Sequence, residues 1–145
     1  MPPARVIAPT IVLKDTGTPK GRGAFALSAH AENSIVEICP VVIFDVPDPD
    51  LLPNEIGRRI FKWSTLIGKQ GMQRGLALGY GSMYNHANPA NLRYCASRIT
   101  QTMTFIANRQ ICVGDELTIN YDEPSGLDSS SESAWMKREG IEPSS

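Results

Sequence analysis

Short apolar runs separated by Gly, Pro and polar clusters recur along the chain, and runs of this kind between turn residues read as strands. Strands are expected at 11–13, 24–27, 35–44, 91–99, 102–107 and 116–121. Pro40 interrupts the third run. Because proline cannot donate to a ladder, that run reads as two strand pieces or one bulged strand. A turn at Thr100-Gln101 joins the fourth and fifth. In the last run, alternation puts Leu117, Ile119 and Tyr121 on one face and Glu116, Thr118 and Asn120 on the other. Tyr121 then ends an apolar face, where its phenol needs a partner. Residues 47–74 break the pattern: they open on Pro47-Asp48-Pro49-Asp50, carry one helical turn at most, and read as an insertion into a β framework. After 122, Pro124, Gly126 and Ser129-Ser130-Ser131 predict a flexible tail, with a short helix at 134–139 carrying Trp135. The organisation is one mainly β, loop-rich domain over 1–122 and a tail over 123–145, without internal repeats.

Composition narrows this picture. With 145 residues, 41% hydrophobic and 20% charged, the chain is long enough for a core and too apolar to be disordered throughout. Fourteen basic against fifteen acidic side chains give a net charge of −1, which argues against nucleic acid as a direct ligand. The charge is split: residues 1–110 carry +5 and residues 111–145 carry −6. An acidic end attracts a basic partner or simply keeps the chain soluble, and both readings stand. No signal peptide and no apolar stretch of membrane-spanning length is visible, so no membrane partner is expected. Cys39, Cys95 and Cys112 show no C-x-x-C spacing and sit among apolar neighbours, which predicts small buried residues and no metal site. A cytoplasmic protein is expected, with nuclear or host-chromatin action and homodimerisation left open.

Three stretches carry chemistry. Gly21-Arg22-Gly23-Ala24-Phe25-Ala26 places two glycines just before a strand, as a plain turn does and as a backbone approaching a ligand does. Gly79 to Asn91 packs Tyr80, Tyr84, Asn85, His86 and Asn91 into a segment that neither helical nor strand periodicity explains. By itself His86 reads as a structural hydrogen-bonder, since no carboxylate accompanies it in sequence. Gly114-Asp115-Glu116-Leu117-Thr118-Ile119-Asn120-Tyr121 closes the series, and taken alone its tyrosine reads as a core residue.

Together and in this order the three resemble the motifs of the SET-domain protein-lysine methyltransferases: the N-terminal G-x-G turn, the Asn-His…Asn segment and the closing Gly-x-Glu-Leu-Thr…Tyr. The resemblance spans roughly residues 5–122. It implies a fold of several small sheets with a knot-like C-terminal crossing, S-adenosylmethionine as cofactor, and a lysine of a basic protein or peptide, such as a histone, as substrate. Carried over by motif position, Gly21, Arg22, Gly23, Tyr84, Asn85, His86 and Tyr121 hold the cofactor. Tyr121 and Tyr94 are the catalytic tyrosines, and Tyr94, Ile119 and Trp135 line the substrate channel. Trp135 reads equally as an anchor that packs the tail onto the body.

Two departures stand out. Ala87 replaces the usual serine after Asn-His, and Pro89 comes one residue early. The cysteine-rich zinc segment of many relatives is also absent. These departures define a rival, a non-catalytic interaction module with a decayed cofactor site. A purely structural β domain is a third class, resting on composition alone. The catalytic reading has a clear physical demand: at pH 7 only about one free lysine in 2,500 is neutral, a gap of roughly 4.6 kcal/mol. A dry aromatic channel beside a sulfonium lowers that cost without a strong base.

Overall fold

The computed structural model describes residues 2–46 and 48–127. The chain begins with β1 (Ile11–Asp15) and β2 (Arg22–Ala26), which pair antiparallel, Leu13 opposite Ala24. β3 (Ile35–Asp45) follows as one long strand. A 3-10 turn at Pro49–Leu51 leads to α1 (Asn54–Gly57), β4 (Ile60–Phe61), α2 (Trp63–Leu66) and β5 (Gln73–Ala77). A second 3-10 turn, Gly81–Met83, precedes β6 (Asn85–His86). β7 (Leu92–Ser97), β8 (Thr102–Ala107) and β9 (Glu116–Ile119) complete the described fold.

The strands form two sheets. One has the order β1-β2-β9-β6, the other β4-β5-β3-β8-β7. β3 stays continuous through Pro40 because its partner changes there. Residues from Ile35 to Pro40 pair with β8, with a shift between Ile35 and Glu37, and residues from Val41 to Asp45 pair with β5. The missing amide hydrogen of Pro40 thus falls at a handover between neighbours. The expected insertion at 47–74 belongs partly to the framework: it supplies the edge strand β4, and its last two residues open β5 beside the middle of the sheet. It also holds three single helical turns where one at most was expected.

Tyr84, Leu92, Met103, Phe105, Leu117, Ile119 and Trp63 are buried together with smaller residues between the sheets. Removing one such large side chain costs roughly 2–5 kcal/mol. Of the cysteines only Cys39 is buried; Cys95 and Cys112 are exposed, which corrects the expectation for both. β7 explains Cys95: alternation turns Leu92 and Tyr94 inward and Cys95 outward, whatever the polarity of its sequence neighbours.

Both faces of β9 are covered: Thr118 and Asn120 are buried like Leu117 and Ile119, because Asn91 and Asn88 pack on the polar face. The chain end then folds back over residues 88–94. Ala90 donates to the Gly126 carbonyl and Tyr94 to that of Pro124, each at 3.0 Å, and the Asn108 amide holds the Ser125 carbonyl at 3.0 Å. These contacts make the C-terminal crossing. Among the described residues no helix is long and apolar enough to cross a membrane. Trp135 and the expected helix at 134–139 lie outside the described residues.

Candidate active site

β9 assembles the site because it touches every part of it. On one edge it pairs with β2, Ala24 opposite Leu117; on the other it runs parallel to β6, Asn85 opposite Thr118 and His86 opposite Ile119. The G-x-G turn and the Asn-His segment are therefore held on opposite edges of one four-residue strand. Asn85 ties them together: its side-chain amide donates to the Arg22 carbonyl at 3.0 Å and to Glu116 Oε2 at 2.9 Å. Lys20 Nζ reaches the His86 carbonyl at 2.8 Å, and burial depresses its pKa against the opposing pull of Glu116.

Both glycines have a physical reason. Gly21 has φ +76°, and a Cβ there would meet nothing within 4 Å, so the outer face of the turn is bare backbone. A Cβ on Gly23 would instead run into the Glu116 carboxylate and approach the Asn85 amide. Gly23→Ala is expected to fold, since Glu116 is a flexible side chain that can swing away. It would lose the Glu116–Asn85 bond, worth about 1 kcal/mol. A melting temperature lowered by a few degrees checks this, and an unchanged one would count against the network.

The tyrosines are tied in by hydrogen bonds of their own. Tyr121 Oη donates to the Tyr84 carbonyl at 3.0 Å, and the Tyr121 amide donates to His86 Nδ1 at 3.1 Å. That second bond makes His86 Nδ1 an acceptor, the structural role expected of an imidazole without a carboxylate. Burial is the main cause that pushes the Tyr121 phenol up to about 12; Arg59 and Arg58 oppose it. Tyr94 is buried, its hydroxyl donates to the Asn120 carbonyl at 3.2 Å, and burial followed by the charge of Asp122 raises its pKa. Its ring packs edge-on against Phe61, centroids 5.4 Å apart.

Tyr84 is placed differently from the other predicted residues. Its ring is buried in the core and its hydroxyl bonds Glu37 Oε1 at 2.6 Å, so it serves the site through the backbone carbonyl that holds Tyr121. Glu37 also accepts from the Tyr80 amide at 2.9 Å, clasping both ends of the 81–83 turn. Burial raises the pKa of this carboxyl, while its two hydrogen bonds act the other way. Sequence reasoning missed Glu37; a lone acid inside an apolar strand was the available signal.

Tyr94, Ile119 and Tyr121 open onto a cavity of about 800 Å³. The rest of its lining comes mostly from the 50–74 segment, including Arg58, Arg59, Phe61, Lys62, Thr65 and Leu66, none of which the motifs had marked. The two departures from the motif leave the crossing intact. Ala87 still donates to Ile119 at 3.0 Å, and Asn91 reaches β9, its amide donating to the Glu116 carbonyl at 2.8 Å.

A bare glycine turn and an Asn-His strand on the two edges of one short β-strand, with the half-buried Tyr121 beside a cavity, define a SET-type transferase site. The SET-domain family model matches residues 21–122. Histone-lysine N-methyltransferase, H3 lysine-37 specific, of Schizosaccharomyces pombe is 31% identical over 119 residues, 81% of this chain and 77% of that protein. The crystal structure of a Plasmodium falciparum protein assigned as a histone methyltransferase has a similar fold, with TM-score 0.60 and 24% identity over 89% of this chain and 99% of that one. The chain belongs to the SET-domain family of protein-lysine methyltransferases.

Proposed function

We propose that this chain transfers a methyl group from S-adenosylmethionine to the side-chain amine of a lysine in a protein substrate, with a histone as the first candidate. The observation that carries the reading is the Tyr121 hydroxyl, held at 3.0 Å by the Tyr84 carbonyl between the Asn85-linked turn and the cavity. The fission-yeast relative, named for a histone lysine, supports the choice of substrate.

The residues present fit the cofactor. The exposed backbone at Gly21 leaves room for a bulky ligand, and Asn85 fixes that turn against β6 and β9. Gly21, Arg22, Gly23, Asn85 and His86 would hold it, with Tyr121 at its reacting end. When bound, it supplies an electrophilic methyl on a sulfonium.

The chain's own residues then have three tasks. Tyr121 and Tyr94 each commit the hydroxyl proton to a carbonyl, which leaves the phenolic oxygens as acceptors for the N–H bonds of an amine. Two such acceptors turn the nitrogen lone pair away from themselves, toward the donor side, and alignment of this kind contributes much of a displacement's rate. Phe61, Leu66, Tyr94 and Ile119 present an apolar surface that disfavours the ammonium form of an entering lysine. With the Tyr121 pKa at about 12, its phenol stays protonated near neutral pH and acts by position rather than as a base.

Calorimetric titration of the full chain with S-adenosylmethionine tests the reading. Micromolar binding is expected, weakened at least ten-fold by Asn85→Ala, followed by methyl transfer to histone peptides. No binding by a well-folded sample would overturn it. Cytoplasmic action, with the nucleus or a host's chromatin as the alternatives, and homodimerisation complete the proposal; cell fractionation and light scattering test them.

A further inference from the structure

The cavity beside Tyr121 has a sign. No carboxylate occurs between Glu55 and Asp115, whereas eight arginines and lysines fall in that interval. Arg58, Arg59, Lys62 and Arg74 of this set stand on the cavity wall, against Asp50 and Asp122. Among the described residues, Arg59 rests on the Ser82 carbonyl at 3.5 Å and on Met83 Sδ at 3.8 Å, and Arg74 on the Gln73 carbonyl at 3.4 Å; none of these contacts is a counter-ion. Lys62 is exposed at the rim. The field extends inward, since both Arg58 and Arg59 bear on the Tyr121 hydroxyl. Charges lining a concave, low-dielectric wall are focused into its interior.

The cavity is also far larger than one aliphatic side chain. At about 800 Å³ it takes the neighbours of a target lysine as well as the lysine itself. Arginine or lysine beside the target would be driven against like charges there, whereas a carboxylate would find the guanidinium groups of Arg59 and Arg74 and the Lys62 ammonium.

We propose that the preferred substrate is a lysine flanked by an aspartate or glutamate, whose carboxylate seats against Arg59, Lys62 and Arg74. This rests on the methyl-transfer reading above. The preference is local: a histone or another basic protein meets it wherever an acid lies beside a lysine. The methyl donor carries a carboxylate too, so one chemistry has two sources, and the test must separate them.

The full chain is given peptides with one lysine flanked by Asp or Glu, by Ala, or by Arg, and kcat/KM is measured for each. Donor affinity is followed separately by calorimetry. The acid-flanked peptides are expected to exceed the Ala-flanked ones at least ten-fold, with the Arg-flanked ones lowest. The preference should shrink as salt rises, because the rim is exposed. Arg59→Gln is expected to bring acidic and Ala flanks within about three-fold, and Lys62→Glu, at an exposed position that folding tolerates, to favour Arg flanks. In both variants donor affinity should hold within about two-fold.

Equal rates on acidic and Ala flanks, or a preference for Arg flanks in the unaltered chain, would overturn the inference and leave the transferase reading standing. Weaker donor binding in both variants, with an unchanged ranking of peptides, would assign the wall to the donor's carboxylate and also overturn it. A folded chain that binds no donor would remove both readings.

Discussion

Tyr121→Phe is expected to lower turnover at least ten-fold while the fold and donor affinity stay in place. The substitution removes one oxygen: the one that donates to the Tyr84 carbonyl at 3.0 Å and offers its lone pairs to the amine. The ring keeps its packing beside His86, at a centroid distance of 5.2 Å, so the crossing around it persists. A ten-fold loss corresponds to about 1.4 kcal/mol of transition-state stabilisation, a reasonable value for one positioning hydrogen bond. The pH profile separates positioning from base catalysis. Since burial pushes the Tyr121 phenol up to about 12, the unaltered enzyme should gain rate with rising pH as the substrate amine loses its proton. Ionisation of Tyr121 should cause no decline until pH approaches 12. The phenylalanine variant should follow the same rising limb at lower height. Methyl transfer at saturating donor, measured from pH 7 to 10, checks this. Turnover equal to the unaltered enzyme within error would remove Tyr121 from the reaction.

A large effect on stability is expected at Asn91, a residue outside the cavity lining. It is buried, and its side chain acts as a splice between the 87–91 loop and β9. Oδ1 accepts from the Thr118 amide at 2.8 Å and from Thr118 Oγ1 at 3.3 Å, while Nδ2 donates to the Glu116 carbonyl at 2.8 Å. Asn91→Ala would leave the buried Thr118 amide and the partly buried Glu116 carbonyl without these partners, at roughly 1–3 kcal/mol each. A loss of about 3 kcal/mol is a large share of the 5–15 kcal/mol typical of a domain and lowers the melting temperature by roughly 10 °C. Thermal denaturation followed by circular dichroism measures it. A change of less than about 2 °C would mean that the crossing is secured elsewhere.

What the sequence disclosed follows from how local each signal is. β1, β2, β7, β8 and β9 were legible as apolar runs between turn residues, with ends off by two positions at most. β4 was not, since two residues make no pattern. Nor was β5, whose sequence Gln-Arg-Gly-Leu-Ala has neither an apolar run nor clean alternation; it is a strand because β3 offers it a register from Val41 to Asp45. The same limit explains Thr118 and Asn120. Alternation assigns them a face, but only the third dimension shows that this face is buried against Asn88 and Asn91 rather than open to water. In the site, the motif residues were readable from order and spacing. The direction in which Tyr84 points was not, because its ring is claimed by Glu37, 47 residues away. The basic wall of the cavity escaped for a related reason: Arg58 and Arg59 lie in a stretch without periodicity, and only folding brings them to the same cavity as Tyr121.

The pairing of β2 with β9 also bears on how the protein is made. β2 emerges early from the ribosome and can zip at once to β1, its neighbour in sequence. Its other edge has no partner until β9, the last strand of the described fold, is synthesised. Throughout that interval the nascent chain carries an unsatisfied ladder of amides and carbonyls, the kind of edge to which a second chain can add. A product truncated before Glu116 would therefore be more than inactive. It would leave the Ala24–Phe25 edge of β2 open, an edge that only synthesis through β9 closes.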